Sequence, residues 1–229
     1  MLSLEGKEIS DISSGMNHSF ALSEQTQVVY GWGSGLNGKL GNELPNNIID
    51  EPCILKSFEE AIQVGLMDIR QISCGNNHSI ALVNMNDESE EESEVTRTNQ
   101  IFVWGNNAHK QLGMTTPIPD GDDEQAEILS QETGESSKVA EHDVVVPNAL
   151  SEDFDQFAGS EPIYVEAGIN YSATLTKAGE VFTWGGGEFG RIGYLDEKRQ
   201  AIPRQIIELK NHHITQISLG YYHAAAVDD

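Results

Sequence analysis

Cysteine is scarce: Cys53 and Cys74 are the only two in 229 residues. Neither has a partner at C-x-x-C spacing, which excludes a disulfide-stapled scaffold and argues against a structural zinc site. Basic residues are few beside the acids. Thirteen Lys and Arg face 37 Asp and Glu, a net charge of −24 at pH 7. Binding phosphate needs a basic field and this mean field repels it, so direct DNA binding and an anionic membrane surface are disfavoured. No apolar run approaches the roughly 18 residues of a membrane span, and Met1-Leu2-Ser3-Leu4-Glu5 lacks the basic-then-apolar order of a signal peptide. The expectation is a soluble intracellular chain, cytoplasmic or nuclear. Signatures of catalysis are missing too. There is no Gly-x-Ser-x-Gly elbow, no His-Glu-x-x-His, and no Gly-Lys-Ser/Thr tripeptide of the kind a phosphate-binding loop needs. Covalent or acid–base catalysis therefore has little support, and neither a cofactor nor a metal is expected.

The acids that are present are unevenly spread. Residues 87–161 hold 19 of them against Arg97, Lys110 and Lys138. Within that stretch, 87–94 (DESEEESE) and 119–143 carry few apolar residues and no sustained period. Such segments cannot bury enough surface to offset their ordering entropy, so acidic insertions are expected at 87–98 and 115–160.

Repetition dominates what remains. One phrase occurs four times, at residues 9–22 (ISDISSGMNHSFAL), 69–82 (IRQISCGNNHSIAL), 163–175 (IYVEAGINYSATL) and 214–227 (ITQISLGYYHAAAV). A second alternates with it at 29–41 (VYGWGSGLNGKLG), 102–113 (FVWGNNAHKQLG) and 181–193 (VFTWGGGEFGRIG). The three tryptophans, Trp32, Trp104 and Trp184, share one slot, each before a glycine: Gly33, Gly105 and Gly185. Sixteen of the 22 glycines lie inside these phrases, among them Gly15, Gly75, Gly168 and Gly220 in the first. Without the acidic insertions the unit is roughly 50 residues, a propeller-like period. Its local physics is β. Short apolar runs such as Ile69 to Ile72 stop at Gly75 with no helical stripe beyond it. Around Gly179 two strand-like runs are joined by a tight hairpin, whereas after Leu82 the chain detours through acidic residues to Gln100. A helical element is expected near 57–67.

The alternation of Trp-Gly-x-Gly-x-x-Gly-x-Leu-Gly with Ile-x-x-Ile-x-x-Gly-x-Asn-His-Ser-x-Ala-Leu closely resembles the regulator of chromosome condensation repeat. The resemblance implies an all-β chain, a β-propeller of four-stranded antiparallel blades, with seven blades in typical members. If a blade runs from one Trp-Gly strand to the next Ala-Leu strand, the chain is a single partial propeller over 1–229. Its blades would be about 28–82, 100–175 and 181–227, with a half blade at 9–22. Seven such units need roughly 350 residues, so the expectation is part of a longer propeller or one completed by another chain.

His18, His78 and His223 occupy one slot of the first phrase, with Tyr171 in the third copy. Equivalent positions around a propeller lie far apart, so a shared metal site is not expected. The plain reading is a histidine that hydrogen-bonds backbone within its own blade, and tryptophans that pack blades. His212 and His213 read as a solvated loop. Two functions fit the resemblance. The first is a protein–protein interaction module, a scaffold or regulator whose site is grafted on the fold. The alternative is guanine-nucleotide exchange on a Ran-type small GTPase, the founding member's activity. Exchange needs no covalent chemistry, only tighter binding of the nucleotide-free GTPase. For either, the partner is another protein, and the candidate contact residues are Asn17, His18, Asn77, His78, Asn170, Tyr171, Tyr222 and His223.

Overall fold

The structure, a computed structural model, describes residues 4–42, 47–86, 97–114, 143–150 and 160–229. The first sheet holds β1 (Asp11–Ser14), β2 (His18–Ser23), β3 (Val28–Ser34) and β4 (Ile48–Ile54). The second holds β5 (Met67–Cys74), β6 (His78–Asn86), β7 (Arg97–Gly105) and β8 (Val144–Ala149). The third holds β9 (Pro162–Ala167), β10 (Tyr171–Thr176), β11 (Val181–Gly185) and β12 (Gln200–Gln205). Each is an antiparallel meander in sequence order, and a two-stranded sheet of β13 (Ile214–Leu219) and β14 (Ala224–Asp228) follows. These are three four-stranded blades and the inner half of a fourth. The all-β propeller expectation holds.

In the three complete blades the second strands are buried along most of their length, and β10, between the second blade and the β13–β14 sheet, is buried at every residue. That is why these strands are continuous runs of small and apolar side chains rather than alternating ones. First strands form the inner ring, with β1 beside β5, β5 beside β9 and β9 beside β13. Side chains bridge them: Ser13 Oγ accepts from Cys74 N at 2.9 Å, and Ser73 Oγ from Ala167 N at 3.0 Å. The core is therefore a series of seams between blades. Phe20, Leu22, Leu40, Phe58, Ile69 and Trp104 fill the first, and Ile80, Leu82, Leu112, Val165 and Trp184 the second. The third, around Ala173, Leu175, Ile214 and Ile217, has no aromatic residue in its buried cluster.

Three sequence expectations need correction. Residues 9–22 are not a half blade; they supply β1 and β2 of a complete first blade, and the incomplete unit is 214–228. A periodic sequence can be cut at any phase, and only hydrogen bonding shows which strands share a sheet. The supposed insertion at 115–160 contains β8, which pairs with β7 through Phe102 and Ala149. Likewise the detour after Leu82 is shorter than expected, since β6 and β7 stay paired out to Asn86 and Arg97. The remaining acidic residues, 87–96, 115–142 and 151–159, lie outside the described residues. The helical element is a 3-10 turn at Lys56–Phe58 running into α1 (Glu59–Gln63).

Candidate functional site

Each blade turns from its first strand into its second through the Gly-x-x-His/Tyr bend. The turns close with Gly15 N donating to His18 O and Gly75 N to His78 O, both at 2.9 Å, and Gly168 N to Tyr171 O at 2.8 Å. A Cβ on Gly15 would stand 2.1 Å from Gly75 O, and one on Gly75 2.5 Å from Gly168 O, so each turn rests directly on the next. The carbonyls of Asn17, Asn77 and Asn170 then accept from the amides of Ser34, Asn106 and Gly186 at 2.7–2.8 Å. This contact presses on the glycine of each Trp-Gly pair, at φ of 101° to 105°, where a side chain would be both strained and obstructed.

The slot histidines reach the next blade, not the backbone of their own as expected. His18 Nε2 lies 2.9 Å from Ser79 Oγ, and His78 Nε2 lies 2.9 Å from Ser172 Oγ. Ser79 donates its one proton to Lys39 O (2.9 Å), and Ser172 donates to Gln111 O (2.8 Å). Trp104 and Trp184, both fully buried, give their indole N–H to the same two carbonyls at 2.9 Å. With its proton spent, each serine oxygen can only accept, which makes the imidazole the Nε2–H tautomer. Nδ1 is left bare and buried in both rings, without a hydrogen-bond partner. Protonation would bury a charge and a second N–H with nothing to receive it. Burial, helped for His18 by the nearby Lys39 ammonium, holds both imidazoles down to about 3.

At the third seam the chemistry changes in both partners at once. The serine position is Ala224 and the slot is Tyr171, whose hydroxyl reaches Gly220 O at 3.0 Å and His223 O at 2.8 Å. Burial pushes this phenol up to about 12. Lys39 is also enclosed; it donates to Asn77 Oδ1 at 2.9 Å, and burial lowers its ammonium to about 8.

With the repeat's own polar residues engaged between blades, the loop face is left to the residues that differ between copies. The position after each turn glycine is Met16, Asn76, Ile169 and Tyr221, and these line a cleft of about 310 Å³ at the mouth of the inner ring. Met16 is 72% exposed and Tyr221 56%. Beside them an aromatic row runs from Phe189 to Tyr222 (4.9 Å between centroids) and on to Tyr221 (4.5 Å). Glu188 bonds Arg191, and lies 3.7 Å from His109 Nδ1 and 3.8 Å from Arg199. Burial raises its carboxyl, but its backbone hydrogen bond and these neighbours, Arg191 foremost, outweigh that and bring it below the ordinary value.

Of the candidate contact residues, Asn17, Tyr222 and His223 are exposed, Asn77 and Asn170 half-buried, and His18, His78 and Tyr171 sealed between blades. His212 pairs with Asp228 at 2.6 Å on an exposed edge. Sequence reasoning missed Met16, Ile169, Tyr221 and Phe189, although their signal was present: they occupy repeat positions where the copies disagree. No group of three or more metal-capable side chains occurs among the described residues, and no described helix is long and apolar enough to cross a membrane. Cys74 is buried and its thiol is pushed up to about 12, mainly by burial. The arrangement is suited to binding by shape and aromatic contact.

The regulator of chromosome condensation (RCC1) repeat matches residues 28–82 and 178–227. The chain is similar to the probable E3 ubiquitin-protein ligase HERC4 of Rattus norvegicus, 28% identical over 98% of this chain and 17% of that protein. It is similar to the ultraviolet-B receptor UVR8 of Arabidopsis thaliana, 25% identical over 98% of this chain and 40% of that protein. It thus spans well under half the length of these relatives. Among solved structures, human WBSCR16 superposes with a TM-score of 0.69 at 20% identity, over 97% of this chain and 47% of that one. That likeness bears on the fold alone.

Proposed function

We propose that the chain, two stretches of which match the RCC1 repeat, is a protein-interaction module which presents its loop face to a protein partner. One observation carries the reading. The repeated histidine, serine and tryptophan are spent on holding blade to blade, while Met16, Phe189, Tyr221 and Tyr222, which the repeat does not dictate, stand exposed on one face. Exposed aromatics gathered at a concave mouth are the usual anchors of protein interfaces. The net charge of −24 favours a partner with basic surface and speeds encounter with it. Because the matched region covers 17% of HERC4, ligase chemistry is no part of this proposal.

The finer reading, nucleotide exchange on a Ran-type GTPase, would use the same face without covalent chemistry. Burial of His18 and His78 speaks against their touching a GTPase, so an exchange mechanism would fall to Asn17, Tyr222, His223 and the aromatic row. The test has two arms. Proteins captured by the purified chain are compared with those captured by a Met16→Glu/Tyr221→Glu variant and by a Lys177→Glu control at the tip of the β10–β11 hairpin. Loss of the captured set with the first variant and retention with the second is expected; equal capture by all three would overturn the loop-face assignment. Release of a fluorescent GDP analogue from a Ran-type GTPase measures the finer reading directly. Acceleration lost in the double variant would establish exchange, and no acceleration by the folded chain would remove it.

A further inference from the structure

The copies also differ at the ends of the strands away from the loop face, where each outer strand crosses to the first strand of the next blade. Two of these crossings begin alike. Leu55 N donates to Val29 O at 2.8 Å and Ile206 N to Val181 O at 2.9 Å, each from an extended residue that leads into a 3-10 turn. They end alike too, at Ile69 and Ile214, which stand in the same place before the turn glycines Gly75 and Gly220. Between those points residues 56–68 make the first crossing and only 207–213 the other. The difference is α1 and the residues that close it, beneath the seam between two complete blades.

The longer crossing is held at its far end. Gly65 takes a φ of 75°, its N–H bonds Ile62 O at 3.0 Å, and the N–H of Leu66 bonds Ala61 O at 2.9 Å, the paired closure of a helix that ends in a left-handed residue. A second departure from the repeat meets it there. β6 is nine residues long where β2 and β10 are six, and its last residue, Asn86, gives its backbone N–H to Leu66 O at 2.9 Å and its side-chain N–H to Gly65 O at 2.7 Å. Phe58, Ala61, Ile62 and Met85 pack into the first seam. Val64 and Leu66 do not: they are 61% and 38% exposed. The charge around them is of one sign. Residues 56–68 carry Glu59, Glu60 and Asp68 against Lys56, with Glu59 and Glu60 exposed on α1, and residues 87–94, which continue from Asn86, add six acids and no base.

We propose that this crossing is a second docking surface, for a basic amphipathic segment of a protein partner that sets apolar side chains on Val64 and Leu66 and cations toward Glu59 and Glu60. Charge complementarity selects the sign of the partner and suppresses acidic competitors. The helix closure and the two Asn86 bonds fix the backbone of residues 61–66 in advance, so little ordering entropy is lost on binding. Apolar side chains displayed on so firm a support, within an acidic field, match a ligand that is apolar on one side and cationic on the other. The surface and the loop face lie at opposite ends of the strands, so each binds without the other.

The test uses a fluorophore-labelled peptide of sequence KLLKKLLKKLLKK, titrated with the full chain and followed by anisotropy. Saturable binding is expected, weaker at roughly 150 mM salt than at low salt because the charges involved are exposed. A peptide of equal charge with every leucine replaced by serine should bind about tenfold more weakly, and so should the leucine peptide to a Val64→Ser/Leu66→Ser chain. A Met16→Glu/Tyr221→Glu chain, altered on the loop face, should bind no more weakly than the parent. Hydrogen exchange in the unaltered chain should slow at the amides of residues 62–66 and 84–86 when the leucine peptide is bound. The two-peptide comparison and the exchange map do not depend on any variant folding. No saturable binding up to roughly 1 mM peptide, the range of the weakest specific contacts, would overturn the proposal. So would equal binding of the two peptides, equal binding by the Val64→Ser/Leu66→Ser chain, or protection confined to the loop face. Concentration-dependent self-association lost in that variant would overturn it in favour of a second copy of the chain.

Discussion

The buried histidines make stability depend on pH in a way that can be worked from the structure. Each sits between two blades as a neutral ring with a bare Nδ1, held down to about 3 against an ordinary value of 6.5. Between those two values the unfolded chain binds more protons than the folded one, so stability rises with pH across the window. The contribution is complete above about 6.5 and is lost as pH falls toward 3. At pH 4.5 an exposed imidazole is almost fully charged while the buried one is still neutral, which costs the fold about 2–3 kcal/mol per histidine relative to pH 7, or about 5 kcal/mol for His18 and His78 together. That is comparable with the whole stability of an ordinary domain. Carboxylates also titrate in this range, so the assay is a difference. Urea unfolding is measured at pH 7 and pH 4.5 for the unaltered chain and for a His18→Gln/His78→Gln variant, whose amides can still donate to Ser79 and Ser172. The variant should lose less stability than the parent between the two pH values by about 5 kcal/mol. If the two chains lose the same amount to within about 1 kcal/mol, the histidines are not the buried neutral rings described here and the tautomer argument fails.

Trp104→Ala should cost about 3–5 kcal/mol in urea unfolding, because it opens the seam lined by Phe20 and Phe58 and leaves Lys39 O with one donor instead of two. A loss under about 1 kcal/mol would contradict a packing role for the repeat tryptophan. Tyr171→His should destabilise by about 1–3 kcal/mol by removing the donor to Gly220 O and His223 O, whereas Ala224→Ser, at an exposed position, should alone change stability by less than about 0.5 kcal/mol. Combined, they should cost less than their sum, because an imidazole facing a serine recreates the contact of the other two seams; strict additivity would refute that equivalence. Cys74, buried with its thiol raised to about 12, should react with a thiol reagent only on global unfolding, at a rate that falls in step with stability. Fast labelling of Cys74 in the native chain would show that the β1–β5 contact opens locally.

Much of the architecture was legible because the repeat writes its backbone demands in glycine and its seams in tryptophan. The Trp-Gly glycines need positive φ, and the turn glycines need the absence of a Cβ, so chemistry that admits one residue type recurs in register. The phase of the sheets was not legible, since a string of alternating phrases has no marked beginning. Nor was β8: its Val144-Val145-Val146 run is an ordinary strand signal, but it sits between acidic stretches whose composition suggested one long insertion. The histidine slot was correctly singled out and wrongly partnered. Its acceptors, Ser79 for His18 and Ser172 for His78, are 61 and 94 residues away. Those separations still encode a rule, because each serine directly follows the slot residue of the next copy. A residue that bonds one repeat ahead leaves a trace only in that offset, not in its local surroundings.

The third seam shows why departures from a repeat carry more information than agreement with it. Were the slot under no constraint beyond filling space, its histidine and the serine that faces it could each have drifted alone. Instead the serine is lost where the imidazole is also lost, and the replacement phenol of Tyr171 spans the extra distance to two backbone carbonyls. The first strands vary in the same manner. Where Ser13 and Ser73 bridge to the next blade, the third copy has Glu166, held by Leu219 and Ser218 of β13, its carboxyl raised above the usual value chiefly by burial. So the third blade grips its neighbour with chemistry unlike that of the first two. The pattern ties the variable residues to two separate tasks. Those at the turn tips are released from blade packing and form the loop face, and those at the last seam hold the third blade to β13 and its following turn.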